Sequence, residues 1–303
     1  MKRILITGGS GLLGINWALN DREKYEVVLA LHNREVSLSK TTSFNASLDS
    51  FDSAESCIKE IKPDIVIHTA GITSVENCEM DPAKARVVNT DLASNIAMAC
   101  SVLNVQLVHI STDHLFSGGH SMAKETTPVY PLNVYAETKA EAELMVLKNS
   151  PDALVIRTNF YGWGPSYRPS FSDYIINALR KGKEVTLFED VFYTPILVER
   201  LIQNIHELLR KNARGIFNIV ADERVSKYQF GMSIAKCFNL DSTLIQKGKM
   251  KDNPTLVNRP YDMSLSNSKS CSLIGHQLGN INEHILRLFE QEESGFNKEI
   301  ISL

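Results

Sequence analysis

The chain has 303 residues, of which 43% are hydrophobic and 22% charged, with a formal net charge of −3. This is the composition of a globular protein long enough to bury a sizeable core, as one large or two modest domains. It carries no basic block of the kind that nucleic acid or an anionic membrane surface recruits, and no apolar run approaches the roughly 20 residues that span a bilayer. The opening "MKRILITGGSG" is basic, but its apolar stretch is too short for a signal peptide and runs into glycines, so we read a mature cytoplasmic protein. Five cysteines, Cys57, Cys78, Cys100, Cys237 and Cys271, form no C-x-x-C pair. They read as reduced thiols rather than disulfides or zinc ligands. No His, Cys and carboxylate cluster has metal-ligand spacing, so no metal is expected.

Taken in chain order, short β-rich runs alternate with longer helical patterns. The runs at 3–7 (RILIT), 26–31 (EVVLAL), 64–70 (DIVIHTA), 105–111 (VQLVHIS) and 153–158 (ALVIRT) are nearly continuous in apolar residues. That pattern suits parallel strands covered on both faces. Helical patterns at 12–23, 51–61, 82–103 and 131–149 separate them. The alternation predicts an α/β fold, a Rossmann-type doubly wound parallel sheet over residues 1–160, with ligands beyond the carboxyl ends of the strands. After about residue 160 the rhythm loosens. Helical runs at 171–181, 196–211 and 226–238 and strand candidates at 184–188 and 215–220 predict a smaller mixed α/β C-terminal substrate lobe over 161–303, interleaved with the first. The tail at 290–303 is expected to fray, with its last apolar residues offering a docking point.

The first candidate site is "ITGGSGLLG". Gly8, Gly11 and Gly14 form a G-x-x-G-x-x-G spacing directly after a strand and at the opening of a helix. Glycines permit the tight turn and the close approach of a pyrophosphate. The amides around Leu12, Leu13 and Gly14 and the helix dipole then favour its negative charge. We expect a dinucleotide here. A free ribose 2′-hydroxyl calls for Asp or Glu at the end of the next strand, about 20 residues beyond the glycines. The strand instead ends "ALHNRE", placing His32, Asn33 and Arg34 in that zone. Arg34 suits a 2′-phosphate, which favours NADP (NADPH) over NAD; Arg34 also reads as a solvated loop charge.

The run 105–111 ends in Ser111-Thr112-Asp113, at the edge where such sheets do chemistry. Tyr135 follows Thr112 by 23 residues, and Lys139 lies one helical turn beyond Tyr135. Reducing a carbonyl needs a proton donor beside the developing alkoxide. A free tyrosine ionises near pH 10, and a neighbouring ammonium lowers that value. Tyr135 as acid, Lys139 as its tuner and cofactor contact, and Thr112 as carbonyl holder form one coherent catalytic set.

These motifs carry a resemblance. The stretches "ITGGSGLLG", "KPDIVIHTAG", "VVNTDLASNIAMAC", "LVHISTDHLFSG", "PLNVYAETKAEAE", "VIRTNFYG", "YTPILVERL" and "NRPYDMSLSNSK" resemble an extended short-chain dehydrogenase/reductase, most of all the dTDP-4-dehydrorhamnose reductase family. The resemblance implies that Thr112, Tyr135 and Lys139 are catalytic. It implies that the strand end at Thr69, Ala70 and Gly71 lies on the cofactor side, and that Asn89 matches a recurring helix asparagine. It implies an NADPH-dependent reductase of the C4 ketone of a nucleotide-linked 4-keto-6-deoxy sugar, in polysaccharide precursor synthesis, with a homodimer as a family expectation. The chain departs from the family in two places. His114 stands where a tyrosine usually follows S-T-D, and "RPYDMSL" puts Asp262 and Met263 where Asn and Ser are usual. Both departures fall on the substrate side, so a related nucleotide sugar fits as well as the rhamnose precursor.

Asp113, His114, Phe160 and Arg259 are candidate substrate contacts. Each has a structural alternative: a residue orienting its neighbours, a satisfied imidazole, a packing ring and a surface ion pair respectively. Tyr161 and Trp163 are similarly placed to line a pocket or to pack. Two rival functions stay open. One is an epimerase of the same superfamily, which retains its cofactor; a dehydratase is disfavoured by Asp113-His114, where an Asp-Glu pair is usual. The other is a dinucleotide-binding regulatory subunit like that of methionine adenosyltransferase.

Overall fold

The structure is a computed structural model and describes residues 1–253 and 255–303. Its centre is a seven-stranded sheet. Six strands are β1 (Arg3–Thr7), β2 (Glu26–Leu31), β3 (Thr42–Asn45), β4 (Ile65–His68), β5 (Gln106–Ile110) and β6 (Leu154–Arg157). The seventh is the edge strand Gly215–Asn218, beside β6. The spatial order is edge strand, β6, β5, β4, β1, β2, β3. Every ladder among β1–β6 is parallel. The expected doubly wound sheet is therefore observed, and its order reverses between β1 and β4, where the carboxyl ends open a crevice.

Burial explains why these runs are strands. Ile4, Leu5 and Ile6 of β1, Val66 and Ile67 of β4, Val108 of β5 and Leu154, Val155 and Ile156 of β6 are all fully buried. Each buried aliphatic side chain of this size contributes about 1.5–3 kcal/mol. One face packs on helices α2 (Phe51–Ile61), α5 (Leu92–Val102) and α6 (Val134–Asn149) through Ala54, Ile58, Ile96, Ala97, Ala142 and Val146. Helix α1 (Leu12–Asp21) is buried along most of its length, and its Trp17 donates from Nε1 to Asp21 Oδ2 at 2.8 Å.

Several boundaries differ from expectation for local reasons. β3 carries exposed polar residues, as an edge strand can, and so gave no apolar run. The segment 82–103 is interrupted. After two short helices, α3 (Val75–Met80) and α4 (Pro82–Arg86), the chain makes a π turn at Val87–Asp91 before α5 begins. Helix α6 starts at Val134 rather than at 131, because the Asn133 side chain caps it by accepting from Ala136 N at 2.9 Å. The strand at 215–218 joins the main sheet, not the C-terminal lobe. The tail does not fray: helices Ile281–Glu293 and Lys298–Ile301 occupy it, and Ile300 is fully buried.

The chain forms two compact units, each assembled from separate segments. The first comprises 1–115, 129–157 and 212–217, and the second 116–128, 158–211 and 218–303. In the second unit, helices Phe171–Arg180, Val198–Arg210 and Lys227–Cys237 fall close to their expected places. Strand Val185–Phe188 pairs in parallel with Ile245–Gly248, a polar strand with no signal in the sequence. No helix among the described residues is long and apolar enough to cross a membrane.

Within the first unit, β6 and α6 are tied by a buried ion pair. Arg157 donates from Nη2 to Glu143 Oε2 at 2.7 Å and from Nε to Glu143 Oε1 at 2.9 Å, and Ser111 Oγ donates to the same Oε1 at 2.6 Å. Removing one partner leaves the other charge buried and uncompensated. Glu143→Ala should therefore cost about 3–5 kcal/mol in a denaturant-unfolding measurement; a loss under about 1 kcal/mol, the size of a surface ion pair, would contradict this account.

Candidate active site at the carboxyl edge of the sheet

The glycine turn sits at the point where the strand order reverses. Gly8 has φ +70°, and a Cβ there would come within 2.8 Å of the backbone N and Cα of Ala70. A Cβ on Gly14 would come within 2.7 Å of Gly8 O and 2.9 Å of Gly9 Cα. Both positions therefore need glycine, one for conformation and both for space. Gly11 is the N-cap of α1 and brings no side chain to bond the amides of the first turn around Leu12, Leu13 and Gly14. A dipole-bearing helix start, a stripped turn and a flat approach fit a pyrophosphate. Thr69, Ala70 and Gly71 follow β4 directly beside this turn, with Thr69 Oγ1 donating to Thr7 O at 2.7 Å. His32, Asn33 and Arg34 form an exposed loop at the carboxyl end of β2.

On the other side of the reversal, β5 delivers Thr112, Asp113 and His114. Thr112 and Asp113 are buried. The Thr112 hydroxyl donates to Asp113 Oδ1 at 3.3 Å and accepts from His114 N at 3.3 Å. Helix α6 faces this turn. The rings of His114 and Tyr135 meet edge to face with centroids 5.5 Å apart. Lys139 Nζ donates to Ile110 O at 2.7 Å, two residues before Thr112. The structure therefore brings Thr112, Asp113, His114, Tyr135 and Lys139 together at one end of β5.

Burial governs the electrostatics. Lys139 is 6% exposed. Desolvation pulls its ammonium down to about 8, and the Glu143 carboxylate one turn along opposes that shift. His68 and His109 lie behind it in register on β4 and β5. Burial lowers His68 to about 3 and holds His109 well below the usual imidazole range, and the Lys139 charge adds to both shifts.

Asn89, on the π turn, locks the approach to this edge. Its Oδ1 accepts from Ile72 N at 2.8 Å, and its Nδ2 donates to Ile72 O at 3.2 Å and to Thr138 Oγ1 at 3.0 Å. Thr90 Oγ1 donates to Thr138 O at 2.8 Å. The π turn, a device frequent at functional sites, thus fixes the loop after β4 and the turn of α6 that carries Lys139.

Sequence reasoning missed His109, Glu143 and Arg157. Their signal was a titratable residue inside an otherwise apolar run (HIS, VIRT) or on the buried face of a helix. Phe160 and Arg259 belong to the second unit. Phe160 pairs with Ile196 in a two-residue ladder, and Arg259 Nε donates to Val257 O at 3.2 Å. The Asp262 departure has an internal partner there. Asp262 accepts from Arg224 Nε at 2.8 Å, Ser264 N at 2.9 Å and Ser264 Oγ at 2.6 Å. Arg224 in turn stacks over the Phe192 ring at 3.7 Å, and the Met263 side chain is buried. Among the described residues, no three His, Cys, Asp or Glu side chains converge as a metal site.

A Rossmann sheet with a glycine turn at its reversal and a Tyr-x-x-x-Lys helix facing β5 defines an NAD(P)-dependent oxidoreductase of the short-chain dehydrogenase/reductase type. The RmlD substrate binding domain family matches residues 1–294, and the chain belongs to that family. It is 29% identical over 294 residues to a dTDP-4-dehydrorhamnose reductase of Aggregatibacter actinomycetemcomitans, covering 91% of this chain and 95% of the relative. It is 28% identical over 259 residues to a probable low-salt glycan biosynthesis reductase, Agl14, of Haloferax volcanii, covering 84% and 86%. Among solved structures, it is similar to a hypothetical dTDP-4-dehydrorhamnose reductase from Sulfolobus tokodaii, with 31% identity and a TM-score of 0.79 over 89% of this chain and 94% of that one.

The glycine geometry makes a direct prediction. Gly14→Val should weaken dinucleotide binding at least about tenfold, about 1.4 kcal/mol, by pushing α1 off the turn at Gly8 and Gly9. Fluorescence titration with NADPH checks this, and an unchanged Kd would remove the glycine turn from the binding site.

Proposed function

We propose that the protein is an NADPH-dependent reductase of the C4 ketone of a nucleotide-linked 4-keto-6-deoxy sugar, acting in surface-polysaccharide precursor synthesis in the cytoplasm. The observation that carries the proposal is the convergence of Thr112, Tyr135 and Lys139 at the end of β5, beside a turn fitted to a pyrophosphate. The membership of the RmlD substrate binding domain family and the reductase names of two of its relatives support the sugar class.

In this proposal Gly8, Gly11, Leu12, Leu13 and Gly14 hold the pyrophosphate, and Thr69, Ala70 and Gly71 border the cofactor. Arg34, with His32 and Asn33, meets the ribose 2′-phosphate. When bound, the reduced nicotinamide supplies a hydride to C4. Thr112 donates a hydrogen bond to the carbonyl oxygen and holds it in place. Tyr135 gives its phenolic proton to that oxygen, so ketone, hydride and proton balance to a secondary alcohol. The phenolate left on Tyr135 is stabilised by the Lys139 ammonium. Asp113 braces Thr112, and His114 sets the Tyr135 ring by edge contact while facing substrate. Phe160 and Arg259 are assigned to the substrate, Arg259 to its diphosphate.

Mixing the protein with NADPH and dTDP-, UDP- and GDP-linked 4-keto-6-deoxy sugars, and following the loss of NADPH absorbance, tests the proposal. Oxidation with one donor supports it. Silence across the panel with NADPH still bound overturns it in favour of a regulatory dinucleotide-binding role, and tightly retained NAD in the purified protein would point to an epimerase.

Two variants sharpen the assignment. Tyr135→Phe should lower turnover about 10²–10⁴-fold with NADPH affinity nearly unchanged, since the lost hydroxyl acts in the transition state. Arg34→Glu should weaken NADPH about tenfold or more while sparing NADH, because a carboxylate repels a 2′-phosphate. Equal effects on the two cofactors would remove Arg34 from that role.

A further inference from the structure

Two imidazoles are buried behind Lys139, and the chemistry above uses neither. His68 and His109 are register partners on β4 and β5, and their rings stack with centroids 5.3 Å apart and planes 23° apart. His68 Nδ1 lies 2.7 Å from Thr7 Oγ1, which fixes its ring from β1. His109 Nε2 lies 3.4 Å from Lys139 Nζ.

An ammonium has three N–H donors, and leaving a buried one without an acceptor is costly. Ile110 O takes the first at 2.7 Å. The Glu143 carboxylate, one turn along α6, is engaged by Arg157 and Ser111. The groups facing Lys139 are His109 from β5, His68 from β4, Tyr135 and Glu143 on α6, and Arg157 of β6 behind Glu143. Glu79 and Arg86 of the short helices meet α6 on its outer side, at Val134 and Glu141. His109 is therefore the acceptor left for the second donor. At 3.4 Å the bond is long for N–H···N, so it acts by setting direction more than by strength.

We infer that His109, its ring braced by the stack on His68, is a positioning residue that accepts from the Lys139 ammonium at Nε2 and so aims the remaining N–H at Tyr135 and the cofactor ribose. This rests on the assignment of Lys139 as tuner of Tyr135. Acceptance at Nε2 requires a neutral ring with its proton on Nδ1. The depression of both imidazoles by burial agrees with that state.

The wild-type protein tests this without any substrate. Long-range proton–nitrogen spectra of ¹⁵N-histidine-labelled protein at pH 6–7 should show His109 as the Nδ1–H tautomer, unchanged on titration to pH 5. An Nε2–H tautomer or an imidazolium would overturn the inference. Variants then test the consequence. NADPH affinity should hold up to about pH 8, where the Lys139 ammonium titrates, and weaken above it. In His109→Leu that break should move to lower pH, because the charged form has lost an acceptor, and affinity at pH 7 should fall about tenfold. His109→Gln, whose amide oxygen can accept, should restore the break. A break unmoved in both folded variants would overturn the positioning role, and sugar turnover decides the reductase proposal separately.

Discussion

One ammonium, buried at the end of a β-strand, constrains the rest of this site. Lys139 can stay charged only while its donors are occupied and its neighbours neutral or paired. Ile110 O supplies an acceptor from the strand itself. The imidazoles of His68 and His109 add no competing charge, because burial holds them unprotonated. Arg157, a second buried cation, is cancelled by Glu143 and kept from Lys139 by that pairing. The balance leaves an ammonium that titrates near 8, low for a lysine yet charged at neutral pH. On the proposed function, that charge favours the phenolate form of Tyr135 beside it.

The backbone geometry follows from the same requirement. Helix α6 must present Tyr135 and Lys139 one turn apart to the end of β5, and its small buried residues Ala142 and Val146 are not alone in fixing its rotation. The π turn does so from outside, through Asn89 and Thr90 onto Thr138, the residue preceding Lys139. The Asn133 cap sets where the helix begins, and Glu143 sets its depth against β6. The irregular turn thus couples the loop after β4 to the helix that carries Tyr135 and Lys139.

Much of this was legible from residues alone, for identifiable reasons. The strands β1, β2, β4, β5 and β6 are buried on both faces and so spell themselves as apolar runs. Gly8 and Gly14 are visible because only glycine tolerates those contacts, and Gly11 because it completes their spacing. Tyr135 and Lys139 are visible because helical spacing is periodic. What stayed hidden is non-local. β3 and the strand at 245–248 owe their pairing to neighbours rather than to their own polar side chains. The membership of 215–218 in the main sheet rests on its place beside β6, which lies far away in the sequence. His109 and Glu143 looked like ordinary members of a strand and of a charged helix, since their partners lie 30 and 14 residues away, at Lys139 and Arg157.

The two departures from the family pattern differ in kind. His114 lies in the first unit against Tyr135, where its ring meets the phenol edge on and alters the surroundings of that phenol. Asp262 lies in the second unit, where its added negative charge is met by Arg224, itself laid over Phe192. A carboxylate, a guanidinium and an aromatic ring that depend on one another are hard to change singly, because any one alone leaves a charge or a face unmatched. On the proposed function, Thr112, Tyr135 and Lys139 act on a ketone and its developing alkoxide whatever those atoms are attached to. Discrimination among sugars has to come from groups that touch the rest of the molecule. On the proposed function, the residues that define the reaction type stand in the matching half of the pattern. The residues that name the sugar belong among those that differ, so the identity of the substrate is a question for His114 and the second unit rather than for the catalytic set.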